Sequence, residues 1–284
     1  MELTEAMRTA AAIRRFRPDP VSDEVLYRVL DAARFAPSGG NRQGWHVITV
    51  RDQALRTGLM ELYLRSWRPM YEARLAAAGG GPDAVGRRSP GTTEANYYAE
   101  RMDEVPVHLV ALIDRAALLT PFPAINQSTF AGGASVYPFV QNLLLAIRAE
   151  GLGASLTMLL ANHEAEVREL LGYPEGFALA AHLGIGWPAR PDPARLRRRP
   201  VEDFATVDRF GGSPLRAAPT PPAAPAARAA PAESAQTLAR VAEEAGGDPA
   251  CWAGLVCPEC GAVTSEGHRP GCTESGTESG AAAR

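Results

Sequence analysis

Apolar residues recur at helical spacing in several stretches of the chain. A helix is predicted between the N-cap residue Ser22 and Pro37, on the apolar positions Val25, Leu26, Val29, Leu30 and Ala33. A second helix follows on Leu55, Leu59 and Leu62. A third helix, which ends at Gly151, is predicted on Val136, Val140, Leu143, Leu144 and Ile147. Asn162 is expected to cap a short helix that runs through Leu171.

Short apolar runs between these helices predict strands. Residues 45–50 indicate a buried strand, and 107–113 form an uninterrupted apolar run typical of a central strand. Residues 152–160 predict a loop and a strand, and 177–187 predict a last strand. Helices and strands do not alternate strictly, and no G-x-G-x-x-G follows a strand. The pattern therefore favours an α+β fold with a mixed sheet over a doubly wound dinucleotide fold.

Composition divides the chain into three parts. Residues 1–213 carry the periodic segments, although the stretch from Gly79 to about Glu94 has no periodicity and is expected to be a mobile insertion. Residues 214–233 are dominated by Pro and Ala, which indicates a semi-rigid linker without a core of its own. Residues 234–284 are expected to hold one short helix, a cysteine cluster and a disordered end.

Charge and composition exclude several classes of protein. All 29 basic residues are arginine, so Schiff-base chemistry and a phosphate-loop lysine are excluded, while bidentate binding of anions remains available. The formal net charge of −3 offers no broad cationic surface for a nucleic acid, and no apolar run reaches the ~20 residues that a membrane span needs. The N-terminus lacks the pattern of a signal peptide, so we expect a cytoplasmic protein.

The segment from Phe35 to Trp45 combines small residues, which let a backbone approach a ligand closely, with the polar side chains of Ser38, Asn41 and Gln43. Taken alone, this pattern is equally typical of an ordinary polar loop. The segment resembles the A-P-S-x-x-N-x-Q-P-W signature of the nitroreductase family, with Gly44 in place of the usual Pro.

Three further segments, in the same order, resemble motifs of this family. They are Ile13-Arg14-Arg15-Phe16 followed by Pro20-Val21, the stretch 135–153 with Gly151-Leu152-Gly153, and 197–203 with its arginines. The resemblance covers roughly residues 4–210. It implies a three-layer α/β/α sandwich with a mixed, mostly antiparallel sheet.

The resemblance also implies a function. Members of the family are FMN-dependent oxidoreductases that take hydride from NADH or NADPH and pass it by a ping-pong mechanism to a nitroaromatic, a quinone or another conjugated acceptor. They are typically homodimers with the flavin at the subunit interface. A flavin-sequestering or redox-sensing protein is the alternative, and a nucleic-acid adaptor is disfavoured because the cysteine cluster holds one arginine, Arg269.

Carried over residue by residue, the resemblance implies a flavin site. Arg14 would lie at the pyrimidine edge of the isoalloxazine, where a positive charge favours the reduced cofactor, and Arg197 and Arg199 would hold the phosphate. Leu156, Thr157 and Met158 would present their backbone, with an N–H at the hydride-accepting N5. The remaining cofactor contacts would come from Pro37, Ser38, Gly39, Asn41 and Ser135.

Two departures from the family pattern affect the same site. Ala10, Ala11 and Ala12 stand where members usually carry a basic residue and a Ser or Thr, so Arg8 is expected to supply the missing phosphate contact. Ser135 stands where a longer polar side chain can occur. No protein nucleophile is expected, and His46, His108 and the Tyr97-Tyr98 pair are interpreted as packing residues.

A second candidate site lies in the last 34 residues, which hold all four cysteines. Cys257, Cys260, His268 and Cys272 form the pattern C-x2-C-x7-H-x3-C, which is typical of a tetrahedral zinc site. A redox dithiol or a tail without metal is the alternative. Four protein ligands leave no open position, so the zinc would be structural, and a protein partner could bind this module. Cys251 is interpreted as a spare thiol.

Overall fold

The computed structural model describes residues 1–78, 82, 89–118, 130–190 and 196–216. It divides the chain into two units, Met1–Leu196 and Arg197–Arg284. The first unit contains helices α1 (Leu3–Thr9), α2 (Asp23–Ala33), α3 (Gln53–Ala77), α4 (Pro90–Glu100), α5 (Tyr137–Ala149) and α6 (Glu164–Leu171). Its strands are β1 (Trp45–Val50), β2 (Val107–Asp114), β3 (Gly153–Thr157) and β4 (Phe177–Gly186).

The four strands form one sheet in the order β1-β2-β4-β3, and all three neighbouring pairs are antiparallel. One isolated bridge, between Ala12 and Ala154, is parallel and extends the sheet beyond β3. β2 and β4 lie in the centre. The prediction of an α+β fold with a mostly antiparallel sheet is confirmed.

Two hydrophobic cores cover the two faces of the sheet. Alternate residues of β2, such as Leu109 and Ala111, pack with α2 and α5, whereas Val110 and Leu112 pack on the other face with α3, α4 and α6. This alternation follows from the twofold side-chain period of a strand. It explains why β2 is a continuous apolar run, and it makes the unit a three-layer sandwich.

Several sequence predictions hold closely. The Ser22 hydroxyl accepts a hydrogen bond from the backbone N–H of Val25 at the start of α2, at 3.4 Å. α5 ends two residues before Gly151, which takes the left-handed conformation with φ +80°. Strand 107–113 is observed with one additional residue, Asp114.

Other predictions need correction. β1 is not a buried strand: it pairs only with β2, and three of its six residues are half-buried and two exposed, because it is an edge of the sheet. The stretch up to about Glu94 is not wholly an insertion, since α4 begins at Pro90. Asn162 does not cap α6: its side chain donates to the Ser66 hydroxyl, and His163 precedes the helix.

The second unit is described only as far as Arg216. It contains a short 3-10 turn, Val201–Asp203, and a bridge between Thr206 and Pro214. The predicted short helix and the zinc ligands lie outside the described residues. Of the predicted linker, only Pro214, Leu215 and Arg216 are described. No helix in the described part of the chain combines the length and apolar character that a membrane crossing needs.

Two histidines pair inside the sheet. His108 of β2 and His182 of β4 are fully buried and stack with ring centroids 4.9 Å apart. His108 Nε2 lies 2.9 Å from the Met102 carbonyl, which can only accept, so Nε2 carries the proton. His108 Nδ1 therefore accepts from His182 Nε2 at 2.8 Å, and His182 Nδ1 has no hydrogen-bond partner among the described residues. This confirms the interpretation of His108 as a packing residue.

This buried pair predicts an acid-sensitive fold. Burial lowers the pKa of His108 to about 4, and burial together with the His108 charge keeps the pKa of His182 well below its usual value. The unfolded chain binds protons more readily, so the free energy of unfolding should be fully present above about pH 6.5 and fall as the pH is lowered towards 4. For His108 alone the loss at pH 5 is on the order of 2 kcal/mol, and His182 adds to it in the same direction.

Urea unfolding between pH 4 and pH 7 measures this effect. The double variant His108→Gln with His182→Gln should flatten the pH dependence, whatever its stability at pH 7. The exposed His46 offers a matched control, because His46→Gln should keep the wild-type slope. An unchanged slope in the double variant would contradict the prediction.

Candidate active site

The loop before β1 is folded by its own polar groups. The Ser38 hydroxyl accepts from the Gln43 N–H at 2.9 Å, and the Asn41 side-chain oxygen accepts from Gln43 Nε2 at 3.1 Å. Gly40 and Asn41 take left-handed φ angles of 60° and 51°, which Gly and Asn adopt most readily. The Gly39 N–H donates to the Ser135 hydroxyl at 3.0 Å. The structure thus brings Ser38, Gly39 and Asn41 together with Ser135.

Two residues at the end of this loop fix it to the sheet and to α5. The Trp45 ring stacks on Phe139 of α5, with centroids 4.8 Å apart and planes inclined by 8°. The Gly44 carbonyl accepts from the Asp114 N–H at 2.8 Å, and a Cβ at position 44 would lie 2.3 Å from the Ala117 Cβ. Gly44 therefore replaces the family's Pro at a point where Ala117 leaves no room for a side chain.

The second group of predicted site residues lies at β3. The backbone of Ala12 and Ile13 lies against the outer edge of this strand, where the Ile13 N–H donates to the Ala154 carbonyl at 2.8 Å. A Cβ at Gly153 would lie 2.6 Å from Ile13 Cγ1 and 2.7 Å from its Cβ. Only glycine allows this close approach. The Gly-Leu-Gly motif thus has a packing role that the sequence did not reveal.

Arg14 follows directly and lies near the far end of β3. Burial raises the pKa of the Tyr63 hydroxyl, and both a hydrogen bond with the Thr157 side chain and the positive charge of Arg14 oppose that rise. Arg14 is half-buried, and among the described residues it forms no hydrogen bond or ion pair. Leu156 and Met158 are 42% and 40% exposed. A guanidinium without a hydrogen bond or ion pair to the described part of the chain therefore lies beside an accessible sheet edge.

These two groups lie at opposite edges of the sheet. Thr157 pairs with His182, His182 with Val110, and Val110 with Ile48 of β1. Three strand spacings of ~4.8 Å separate Thr157 from Ile48, so the two edges are about 14 Å apart. The loop at Ser38 lies beyond the first residue of β1, farther still along the strand. One chain does not bring its two groups of site residues together.

A third cluster was missed from the sequence. Arg15 donates to both carboxylate oxygens of Glu94, at 2.7 and 3.3 Å, and its guanidinium lies 3.6 Å from the centre of the Tyr97 ring. Arg190 Nη1 lies 3.8 Å from the same carboxylate. The Arg15 hydrogen bonds keep the pKa of Glu94 below its usual value. The adjacent arginines were visible in the sequence, but nothing there linked them to a carboxylate 79 positions away.

The remaining described residues of the predicted site are exposed. Arg8 is exposed on α1, and its carbonyl accepts from the Leu196 N–H at 3.0 Å. α1 ends at Thr9, so the alanines that follow it do not extend the helix. Arg197 and Arg199 are exposed and belong to the second unit. Their contact with a phosphate stays a prediction, as does the zinc site, whose ligands lie outside the described residues.

Comparison with known proteins places this geometry in a family. The model of the nitroreductase family matches residues 7–187. The chain belongs to the nitroreductase family. The expectation of an enzyme, an NAD(P)H-dependent FMN oxidoreductase of the nitroreductase type, is therefore confirmed at the level of the family.

The similar proteins have several different activities. A 5,6-dimethylbenzimidazole synthase of Rhodospirillum rubrum is 31% identical over 187 residues, which cover 64% of this chain and 79% of that protein. An NADH dehydrogenase of Thermus thermophilus is 32% identical over 192 residues, covering 63% and 82%. The structure of an iodotyrosine deiodinase bound to FMN and 3-iodo-L-tyrosine is 25% identical, covers 74% of this chain and all of that chain, and has a TM-score of 0.56.

The close contact of Gly153 with Ile13 yields a prediction. Gly153→Ala should push the segment that carries Arg14 away from β3, lowering the free energy of unfolding by about 1–3 kcal/mol and weakening FMN binding as well. Urea unfolding and fluorescence titration with FMN measure the two effects. Gly176→Ala is the matched control, because nothing lies within 4 Å of a Cβ built there. Equal behaviour of the two variants would show that the segment is not held by this contact.

Proposed function

We propose that this chain is a reductase that uses FMN to pass hydride from NADH or NADPH to a small conjugated acceptor such as a nitroaromatic or a quinone. The observation that carries the proposal is Arg14, a half-buried cation beside the accessible end of β3 that makes no hydrogen bond or ion pair with the described residues. Among the relatives, the Thermus thermophilus protein named an NADH dehydrogenase supports a nicotinamide donor.

The residues at β3 fit an isoalloxazine ring. The backbone of Leu156 to Met158 offers N–H and C=O groups at a sheet edge, where a planar ring with polar edges can hydrogen-bond. Arg14 would hold the pyrimidine side, where its fixed charge stabilises negative charge that develops there. When bound, FMN supplies two-electron redox chemistry that no side chain of the protein provides. The protein's tasks are then to bind, to orient and to exclude water.

The phosphate of FMN would lie beyond the β3 edge of the sheet. Arg8, Arg197 and Arg199 are all exposed, and a planar guanidinium can bind a phosphate by two parallel hydrogen bonds. Ala10 and Ala12 carry no polar side chain, so these arginines would replace the contacts that most family members place there. Small residues at 10 and 12 also leave room for the phosphate to approach the backbone.

The site would be completed by a second copy of the chain. The loop with Pro37, Ser38, Gly39 and Asn41 lies at the β1 edge, and Arg14 and Thr157 lie at the β3 edge. If the β1 edge of one protomer faces the β3 edge of its partner, twofold symmetry repeats that contact and gives two equivalent sites. The split between the two edges therefore supports a homodimer.

Reduction of the bound cofactor tests the proposed function. The purified full chain should be yellow, and anaerobic addition of NADH or NADPH should bleach its absorbance band near ~450 nm in stoichiometric amounts. Subsequent addition of a nitroaromatic or a quinone should restore the band. A protein that retains FMN tightly but is bleached by neither donor would contradict the reductase and favour the flavin-sequestering alternative.

We also propose that Cys257, Cys260, His268 and Cys272 bind a structural zinc ion. The support is the sequence spacing, which provides the four ligands of a closed tetrahedral site. Cys260→Ser should lose the metal, which metal analysis of the purified chain would measure. Cys251→Ser is the matched control and should keep it. Flavin reduction should stay unchanged in both variants, because the Pro- and Ala-rich linker separates the tail from residues 1–213. Zinc retained in Cys260→Ser would contradict the assignment.

A further inference from the structure

Ser66 and His163 form a hydrogen-bonded pair at the surface of the first unit. Ser66 Oγ lies 3.0 Å from His163 Nε2, although the two residues are 97 positions apart and no sequence motif joins them. Asn162 contacts the serine, and Glu166 faces the histidine. We infer that Ser66 is a nucleophile that accepts the acyl group of a small carboxylic ester, with His163 as its general base. This activity goes beyond the proposed flavin chemistry and does not depend on it.

Packing holds the two side chains together. α3 buries Tyr63 and Trp67, and Ser66 is half-buried at the border of this apolar stripe, three residues after Tyr63. His163 ends a 3-10 turn whose Leu160 is fully buried in the same core, and its own side chain is only 16% exposed. Contact of the helix with the turn therefore fixes the distance between hydroxyl and ring.

The direction of the hydrogen bonds fits a nucleophile. Asn162 Nδ2, which can only donate, bonds to Ser66 Oγ at 3.1 Å. The hydroxyl hydrogen therefore points at His163 Nε2, which accepts it, and the neutral ring carries its own proton on Nδ1. Activation of a serine requires a base in this arrangement, since the proton must leave Oγ as the oxygen attacks.

Glu166 faces the protonated side of the ring. Its Oε1 lies 3.8 Å from His163 Nδ1, and Arg65 Nη2 donates to the same oxygen at 3.0 Å. A hydrogen bond from its own backbone N–H, and then Arg65, keep the pKa of Glu166 below its usual value, so the carboxylate is charged at neutral pH. This charge stabilises the imidazolium that forms when Ser66 loses its proton. Such contacts are commonly long before a substrate binds and shorten in the complex.

The pair is accessible from the side of Asn162. Asn162 is exposed, and among the described residues its side-chain amide donates one hydrogen bond, to Ser66, so its second N–H is available to a ligand. Once Oγ has attacked an ester, the former carbonyl oxygen lies next to Oγ and within reach of this amide. A donor at that position stabilises the negative charge that develops on the oxygen.

The proposed step exchanges one bond for another. Ser66 Oγ bonds to the carbonyl carbon of the ester, the hydroxyl proton passes to His163 Nε2, and the C–O bond to the alcohol breaks. The alcohol leaves with the proton that Nε2 held. A fluorophosphonate probes the same groups, because Oγ displaces fluoride from phosphorus and remains covalently bound to it.

Labelling of the purified full chain with a fluorophosphonate tests the inference, and mass spectrometry of its peptides locates the adduct. A second probe, 4-nitrophenyl acetate, reports acyl transfer by release of 4-nitrophenolate, and the chain has no lysine whose amine could be acylated. The variants are Ser66→Ala and His163→Gln. Ser213→Ala is the matched control, because Ser213 is exposed and its hydroxyl bonds to no histidine among the described residues. Circular dichroism and FMN content are recorded for each variant.

We expect one fluorophosphonate adduct per chain, on Ser66, and none in Ser66→Ala. His163→Gln should be labelled at least about tenfold more slowly, because the general base is lost, whereas Ser213→Ala should resemble wild type. Wild type should also release 4-nitrophenolate faster than Ser66→Ala.

A wild-type chain whose Ser66 stays unlabelled would overturn the inference and leave the serine as a tie between α3 and the turn before α6. Equal labelling rates of wild type and His163→Gln would overturn it as well. The first result needs no variant, so it decides the question even if Ser66→Ala fails to fold. Neither result depends on reduction of the flavin, so a failure of the proposed function is distinguished from a failure of this inference.

Discussion

The order of the strands separates the two halves of the candidate site. β2 and β4 are apolar on both faces and occupy the centre of the sheet, so β1 and β3 must form its edges. The signature loop precedes one edge strand, and the segment with Arg14 pairs with the other. Neither half can move towards the other without breaking the core. This arrangement supports the proposal that a second protomer completes the site.

One backbone contact organises the β3 edge. Because Gly153 has no side chain, Ile13 lies directly against β3, and the residues that follow it pair with residues 187–189. Successive side chains of an extended segment point in opposite directions. One piece of backbone therefore gives Arg14 and Arg15 different environments. Arg14 forms no ion pair with the residues that the structure describes, whereas Arg15 pairs with Glu94.

The sequence predicted those parts of the fold that depend on local patterns. The run 107–113 and the apolar stripe of α5 are strong signals because both elements are buried. β1 was judged too buried because its apolar residues are typical of a strand at any position, whereas its place at the edge depends on the order of all four strands. Neither α1 nor α4 was predicted. α4 has few apolar residues, so its helical period is weak in the sequence.

The site was predictable to a similar extent. The signature from Pro37 to Trp45 and the Gly-Leu-Gly motif were recognised, since they are continuous in sequence. The structure adds that Ser38 and Ser135 bind backbone N–H groups within the protein, which a motif alone does not reveal. Glu94 and Arg190 reach Arg15 only through tertiary structure. The spacing of residues along the chain could therefore not predict the cavity that they line.

The central claim is that each flavin site draws on opposite edges of two protomers, and mixed dimers test it most directly. Arg14→Ala and Asn41→Ala, each unable to support flavin reduction alone, would be co-expressed with different tags and purified through both. One of the two sites in such a dimer contains neither substitution, so about half of the wild-type activity per dimer should return. Tags that do not purify together, or mixed dimers as inactive as the parent variants, would contradict the account.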